Sequence, residues 1–222
     1  MGAADAPRFP DAPAQILALP TDHRGFPVPW FVEWIDGAPD FRVIGQGKWG
    51  LAHRKHLCWV CGRRLGRMKA FVIGPMCAVN RVSSEPPSHP ICAEFAARNC
   101  PFLANPRMRR NEKGLAEMGA RSVGGDAIKR NPGVALVWWT LAYKVFGDGR
   151  GGVLIQVGKP ERAMWFAHGR EATRAEVMAS IESGLPLLRE PAEAQDREEP
   201  GAGAVQMLEK MTADALVLVP AQ

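Results

Sequence analysis

Two pairs of metal-binding side chains constrain this chain more than any other feature. Leu57-Cys58-Trp59-Val60-Cys61-Gly62 places two thiols either side of two residues, and Ser88-His89-Pro90-Ile91-Cys92 repeats that separation with an imidazole and a thiol. The pattern reads C-x2-C, 27 residues, then H-x2-C, which is the ligand spacing of one tetrahedral zinc. Gly62 lets the chain fold back on the metal. A helix starting near Ser88 would project His89 and Cys92 from one face, and its N-terminal partial charge would favour thiolate over thiol.

The expected donors are therefore Cys58, Cys61, His89 and Cys92, with Zn2+ as cofactor. A second reading puts Cys77 in place of His89, because Cys77 follows Cys61 at a ribbon-like distance, and Cys100 leaves the set open further. An iron–sulfur cluster on four of the five thiols matches none of the compact ferredoxin spacings. Finger-type zinc contributes about 10–16 kcal/mol of apparent binding energy, against about 5–15 kcal/mol of net stability for a whole domain. A closed, structural site is expected. A catalytic zinc would keep a position for water and a nearby base. Glu85 and Glu94 flank the second pair but read as surface residues.

Length and composition bound the rest. At 222 residues and 46% apolar, the chain can bury a proper core. It shows no secretory or myristoyl signal and no apolar run of membrane-spanning length, so a cytoplasmic protein without a membrane partner is expected. An odd number of cysteines in a reducing compartment favours ligands over disulfides. The net charge of +5 is unevenly spread. Residues 1–41 carry two Lys or Arg against six acids, residues 42–130 carry 17 against five, and residues 131–222 carry nine against twelve. The basic block coincides with the cysteines and suits a polyanion. Arg63, Arg64, Arg67, Lys69, Arg107, Arg109, Arg110 and Lys113 are the expected phosphate contacts, with DNA or RNA as partner.

Periodicity predicts an α+β protein: small antiparallel sheets around a treble-clef-like zinc module at 57–103. Residues 1–20 read as a disordered leader, 21–190 as the domain, 191–203 as an acidic linker, and 204–222 as an amphipathic helix that could dock a protein partner. Strands are expected at 28–35, with Trp30, Val32 and Trp34 on one face, and at 41–44, 68–73 and 76–82. Further strands are expected from 134 to 146, at 153–157 and at 163–167. Residues 108–130 read as loop or weak helix. Thr173-Arg174-Ala175-Glu176 is a capping box opening a helix. His53 and His56 could serve a metal-dependent enzyme acting on nucleic acid, but the His-Asn-His order of an HNH nuclease is missing. The glycines at 147–152 lack a phosphate-loop lysine and read as a hairpin turn. The seven tryptophans read as core.

Several motifs resemble an uncharacterised bacterial and prophage-associated protein family: Pro29-Trp30-Phe31-Val32, Leu57 to Gly62, Phe71-Val72-Ile73-Gly74-Pro75-Met76-Cys77, Pro86-Pro87-Ser88-His89 and Cys100-Pro101-Phe102-Leu103. Lys129 to Gly133 and Ala179 to Pro186 extend it, covering Leu19 to about Leu188. The resemblance implies that all five cysteines share one pattern, and it implies no activity. A structural or protein-interaction role in a phage-like system is the third functional class.

Overall fold

The computed structural model describes residues 8–106, 108–109, 111–115 and 131–221. The first described segment is packed, not loose. A short helix α1 (Ala14–Leu17) buries Ile16 to 1% exposure against Cys58, Val60, Cys61 and Cys92. The Phe9 ring meets Phe26 at 5.6 Å and Phe95 at 5.4 Å between centroids. This corrects the expected disordered leader for residues 8–20. Alanine and proline dominate the composition, but two apolar anchors are enough to fix the segment when a preformed surface awaits them.

Next comes a hairpin of β1 (Val32–Ile35) and β2 (Ala38–Ile44), turned by Asp36 and Gly37, both at positive φ as a two-residue hairpin turn requires. The register shifts between Val32 and Glu33. The pairing jumps there from Ile44 to Asp40 on β2, and on this two-stranded hairpin Val32 is fully buried whereas Trp34 is 43% exposed. A basic helix α2 (Lys48–Lys55) follows, with His53, Arg54 and Lys55 in its last turn, where cations suit the helix dipole.

After β3 (Lys69–Ile73), the strand expected at 76–82 is instead helix α3 (Pro75–Asn80). Pro75 occupies the first turn, where its missing N–H costs nothing, and Met76 and Val79 are buried at helical spacing. Only β4 (Val82–Ser83) remains of the expected strand. Helices α4 (Pro90–Asn99) and α5 (Pro101–Ala104) precede β5 (Ala135–Thr140), all six of whose residues are buried. Then come β6 (Tyr143–Gly147), β7 (Val153–Val157), β8 (Arg162–Ala167) and β9 (Arg170–Glu171).

The strands form antiparallel sheets ordered β1-β2, β3-β5-β8-β9 and β4-β7-β6. Both faces of β5 are covered. Trp139 joins Ala93 and Ala97 of α4 and Phe166 on one side. Trp138 joins Phe71, Met76, Val79, Trp165, Val177, Ile181 and Leu208 on the other. The α+β architecture is as expected, and the paired tryptophans are core.

Helix α6 (Arg174–Gly184) opens with the expected capping box of Thr173 and Glu176. The acidic linker is corrected: most of it is helix α7 (Pro186–Glu198), whose Leu188 and Ala192 lie against the core at helical spacing. Pro191 is accommodated within it. Asp196 then accepts the backbone N–H groups of Ala204 and Val205 at 2.7 and 3.0 Å, capping the final helix α8 (Ala204–Leu216). Leu208, Ala215 and Val219 are buried at home, so the apolar face expected to meet a partner is already covered. Among the described residues, no helix is long and apolar enough to cross a membrane.

Candidate metal centre

The knuckle is a tight backbone turn. Leu57 bridges Arg64, Cys58 N–H donates to Arg63 O at 2.7 Å, and Gly62 N–H donates to Cys58 O at 2.8 Å. Gly62 sits at φ +70, which a side chain would resist. Opposite it, His89 caps α4 and Pro90 fills the first turn, so His89 and Cys92 lie on successive edges of one helical end. The helix start expected near Ser88 thus falls one residue later. Ser88 itself is engaged with β3, exchanging both backbone hydrogen bonds with Ala70 at 2.8 and 2.7 Å. This single bridge is what remains of a hairpin between knuckle and helix, with α3 and β4 inserted in its loop. The layout is consistent with a treble-clef-like zinc module.

The thiols of Cys58, Cys61 and Cys92 and one His89 nitrogen all lie within 4.8 Å of one another. Cys61 Sγ is 3.4 Å from His89 Nδ1, and Cys92 Sγ is 3.9 Å from it. Zinc with Zn–S of about 2.3 Å and Zn–N of about 2.0 Å holds tetrahedral donors roughly 3.5–3.8 Å apart, so the set fits. The other imidazole nitrogen, Nε2, lies 2.9 Å from the Arg64 carbonyl. A carbonyl can only accept, so Nε2 carries the proton and Nδ1 keeps its lone pair for a metal. Cys58 Sγ accepts the backbone N–H groups of Cys61 at 3.4 Å and His89 at 3.3 Å, bonds that favour a thiolate.

Electrostatics point the same way. Hydrogen bonds from the Cys61 and Cys92 thiols hold Cys58 far below the ordinary thiol range. The same sharing pushes Cys61 and Cys92 upward, with burial adding to it. Three sulfurs this close cannot all ionise alone, and a divalent cation is the countercharge that lets them. Three thiolates and a neutral imidazole on such an ion leave one negative charge beside the exposed Arg63 and Arg64. The set offers four protein donors, the number a tetrahedral ion takes.

Cys77 and Cys100 are not in this cluster. Desolvation pushes both thiols up, so these half-buried side chains stay neutral. His53 and His56 also stand outside it. His53 Nδ1 lies 3.4 Å from the Tyr143 hydroxyl, and exposed His56 ends α2 in a left-handed conformation.

Among the expected phosphate contacts, Arg63, Arg64 and Arg67 are exposed and form no ion pair with any described residue. Lys69 is partly buried, its Nζ donating to Arg67 O and Leu141 O at 3.1 and 3.3 Å. Arg109 and Lys113 are exposed, while Arg107 and Arg110 lie outside the described residues. Leu65 N–H donates to His56 O at 2.7 Å, bringing exposed Arg54 and Lys55 beside the knuckle strand. No Asp or Glu occurs between Asp40 and Glu85, so the segment that carries these cations has no acid of its own. Sequence reasoning missed Ile16, which backs the thiols, and the Arg64 carbonyl. A backbone acceptor leaves no signal in residue identity. Ile16 is an isolated apolar residue in a proline-rich stretch.

No family model, no curated protein and no solved structure matches this chain, so the resemblance drawn from its motifs gains no support beyond the Cys/Cys/His/Cys cluster itself.

Proposed function

We propose that the chain is a zinc-stabilised, non-catalytic nucleic-acid-binding protein of the cytoplasm, with Cys58, Cys61, His89 and Cys92 as ligands and the basic knuckle surface as its phosphate-binding face. The observation that supports zinc best is the His89 ring: Nε2 is tied to Arg64 O at 2.9 Å while Nδ1 faces three thiols. Nucleic acid is favoured by exposed Arg54, Lys55, Arg63, Arg64 and Arg67, carried on backbone segments that the Leu65–His56 and Leu57–Arg64 pairings hold together, in a stretch of sequence without carboxylates. Four protein donors can fill a tetrahedral shell, which supports a structural over a catalytic metal.

Elemental analysis of the purified protein should give one zinc per chain, lost in Cys92→Ser. Gel shifts with metal-loaded protein should show affinity falling steeply with salt, by about 0.7–0.9 log units per log unit of salt for each phosphate contact. Metal-free protein that stays folded sinks the zinc assignment. Salt-independent binding, or none, sinks the nucleic-acid assignment.

A further inference from the structure

The basic surface does not end at the knuckle. Strand β6 begins beside it, where Lys69 Nζ reaches Leu141 O and Tyr143 meets His53, and then runs away along the edge of the β4-β7-β6 sheet. Along that sheet the side chains alternate. Val145, Ile155 and Val157 turn inward to the core, as does Tyr143 against Phe71. Lys144, Phe146, Leu154 and Gln156 turn the other way, paired across the strands as Lys144 with Gln156 and Phe146 with Leu154. Phe146 is 40% exposed, and Lys144 and Gln156 are exposed.

An open sheet face that displays one aromatic ring, one amide and one cation in neighbouring positions has the parts of a base-stacking seat. Exposed Lys159 follows β7, and neither Lys144 nor Lys159 forms an ion pair with any described residue. The carboxylate at this hairpin, Asp148, is turned into its own loop, accepting the Arg150 and Gly152 N–H groups at 2.8 and 2.7 Å. Charge therefore suits a polyanion, and the exposed ring beside it suits one that carries bases. A mid-strand lysine on an edge strand also discourages pairing with a second copy.

We propose that this face binds single-stranded nucleic acid, with a base stacked on Phe146, Gln156 meeting that base's edge, and Lys144 and Lys159 meeting the flanking phosphates. The inference rests on the nucleic-acid reading and adds strand selectivity to it. A duplex keeps its bases stacked inside and has none to lay on Phe146, whereas the knuckle arginines meet phosphates of either form.

The test uses metal-loaded, full-length protein with a labelled single-stranded oligonucleotide and the matching duplex. The wild type should prefer the single strand. Phe146→Ala, a surface change, should weaken single-strand binding about 5- to 100-fold and leave duplex binding and the salt slope alone. Lys144→Gln should lower the single-strand salt slope by about 0.7. Equal affinity for both forms with no effect of Phe146→Ala overturns this inference, while loss of binding in an Arg63→Gln, Arg64→Gln, Arg67→Gln variant would still uphold the knuckle reading. Binding of neither form overturns both. Sedimentation in which Phe146→Ala converts a dimer to a monomer, with strand affinity unchanged, overturns it in favour of self-association.

Discussion

Replacing Gly62 by alanine tests the knuckle with a single methyl group. The residue sits at φ +70, and a Cβ there would lie 2.5 Å from Cγ and Cδ1 of Trp30 and 3.1 Å from its Cβ. The left-handed conformation costs a non-glycine residue about 1–2 kcal/mol. The ring must also give way, and it is held. The Trp30 ring packs edge-on against Trp59 at 6.4 Å, and its backbone is fixed too, the amide N–H donating to Val60 O at 2.7 Å and Lys48 Nζ donating to its carbonyl at 2.6 Å. Forcing such overlap costs about 1–3 kcal/mol. The sum, about 2–5 kcal/mol, is worth roughly 4–20 °C in melting temperature for a domain of this size. Differential scanning calorimetry of metal-loaded protein measures it, and competition with a chromogenic chelator should show weaker metal retention. Gly66→Ala is the control, since nothing lies within 4 Å of its Cβ and its φ is ordinary. Indistinguishable melting of Gly62→Ala, Gly66→Ala and wild type would refute the reasoning.

Ile16→Ala should cost about 2–5 kcal/mol, as a buried aliphatic truncation does, and should speed zinc loss; urea unfolding and chelator kinetics check both, and an unchanged midpoint would mean the segment is only laid on the surface. Chelation of the metal by EDTA should unfold the module at 57–103 and open Arg8–Leu19 to proteolysis, followed by hydrogen exchange and mass spectrometry; undiminished protection there contradicts a structural metal. Glu176 is held down to about 2, first by the Arg170 guanidinium and then by Thr173, against 4.5 for a free glutamate. Because its folded value is the lower one, its contribution is complete above about 4.5 and is lost as pH falls towards 2. Wild type and Glu176→Gln should therefore melt apart at pH 6, where the carboxylate is ionised and the metal ligands can still be loaded, and equal melting there would show that the cap does not act through its charge.

The metal cluster was legible because ligand chemistry is written in residue type and spacing. Cys58, Cys61, His89 and Cys92 needed no tertiary information beyond a turn and a helix start. The Thr173 capping box and the Asp36-Gly37 turn were legible for the same reason, being local. What failed was decided by partners distant in sequence. Pro75–Asn80 looks strand-like on β propensity, yet its burial against α6 and α8 selects a helix. Pro186–Glu198 looks like linker by charge and proline, yet α8 gives its apolar edge something to cover and Asp196 something to cap. Trp34 reads as core by residue type, yet it stands on a two-stranded hairpin that leaves it 43% exposed, and how much cover a strand receives is not written in its own residues.

The segment behind the thiols has a temporal consequence. Ile16 leaves the ribosome 76 residues before Cys92, the last thiol of the cluster it joins. At about 5–20 residues per second, that is a wait of roughly 4–15 s. During synthesis the nascent chain therefore carries an uncovered isoleucine and a half-built chelate together, and both close in one late step when the second ligand pair arrives.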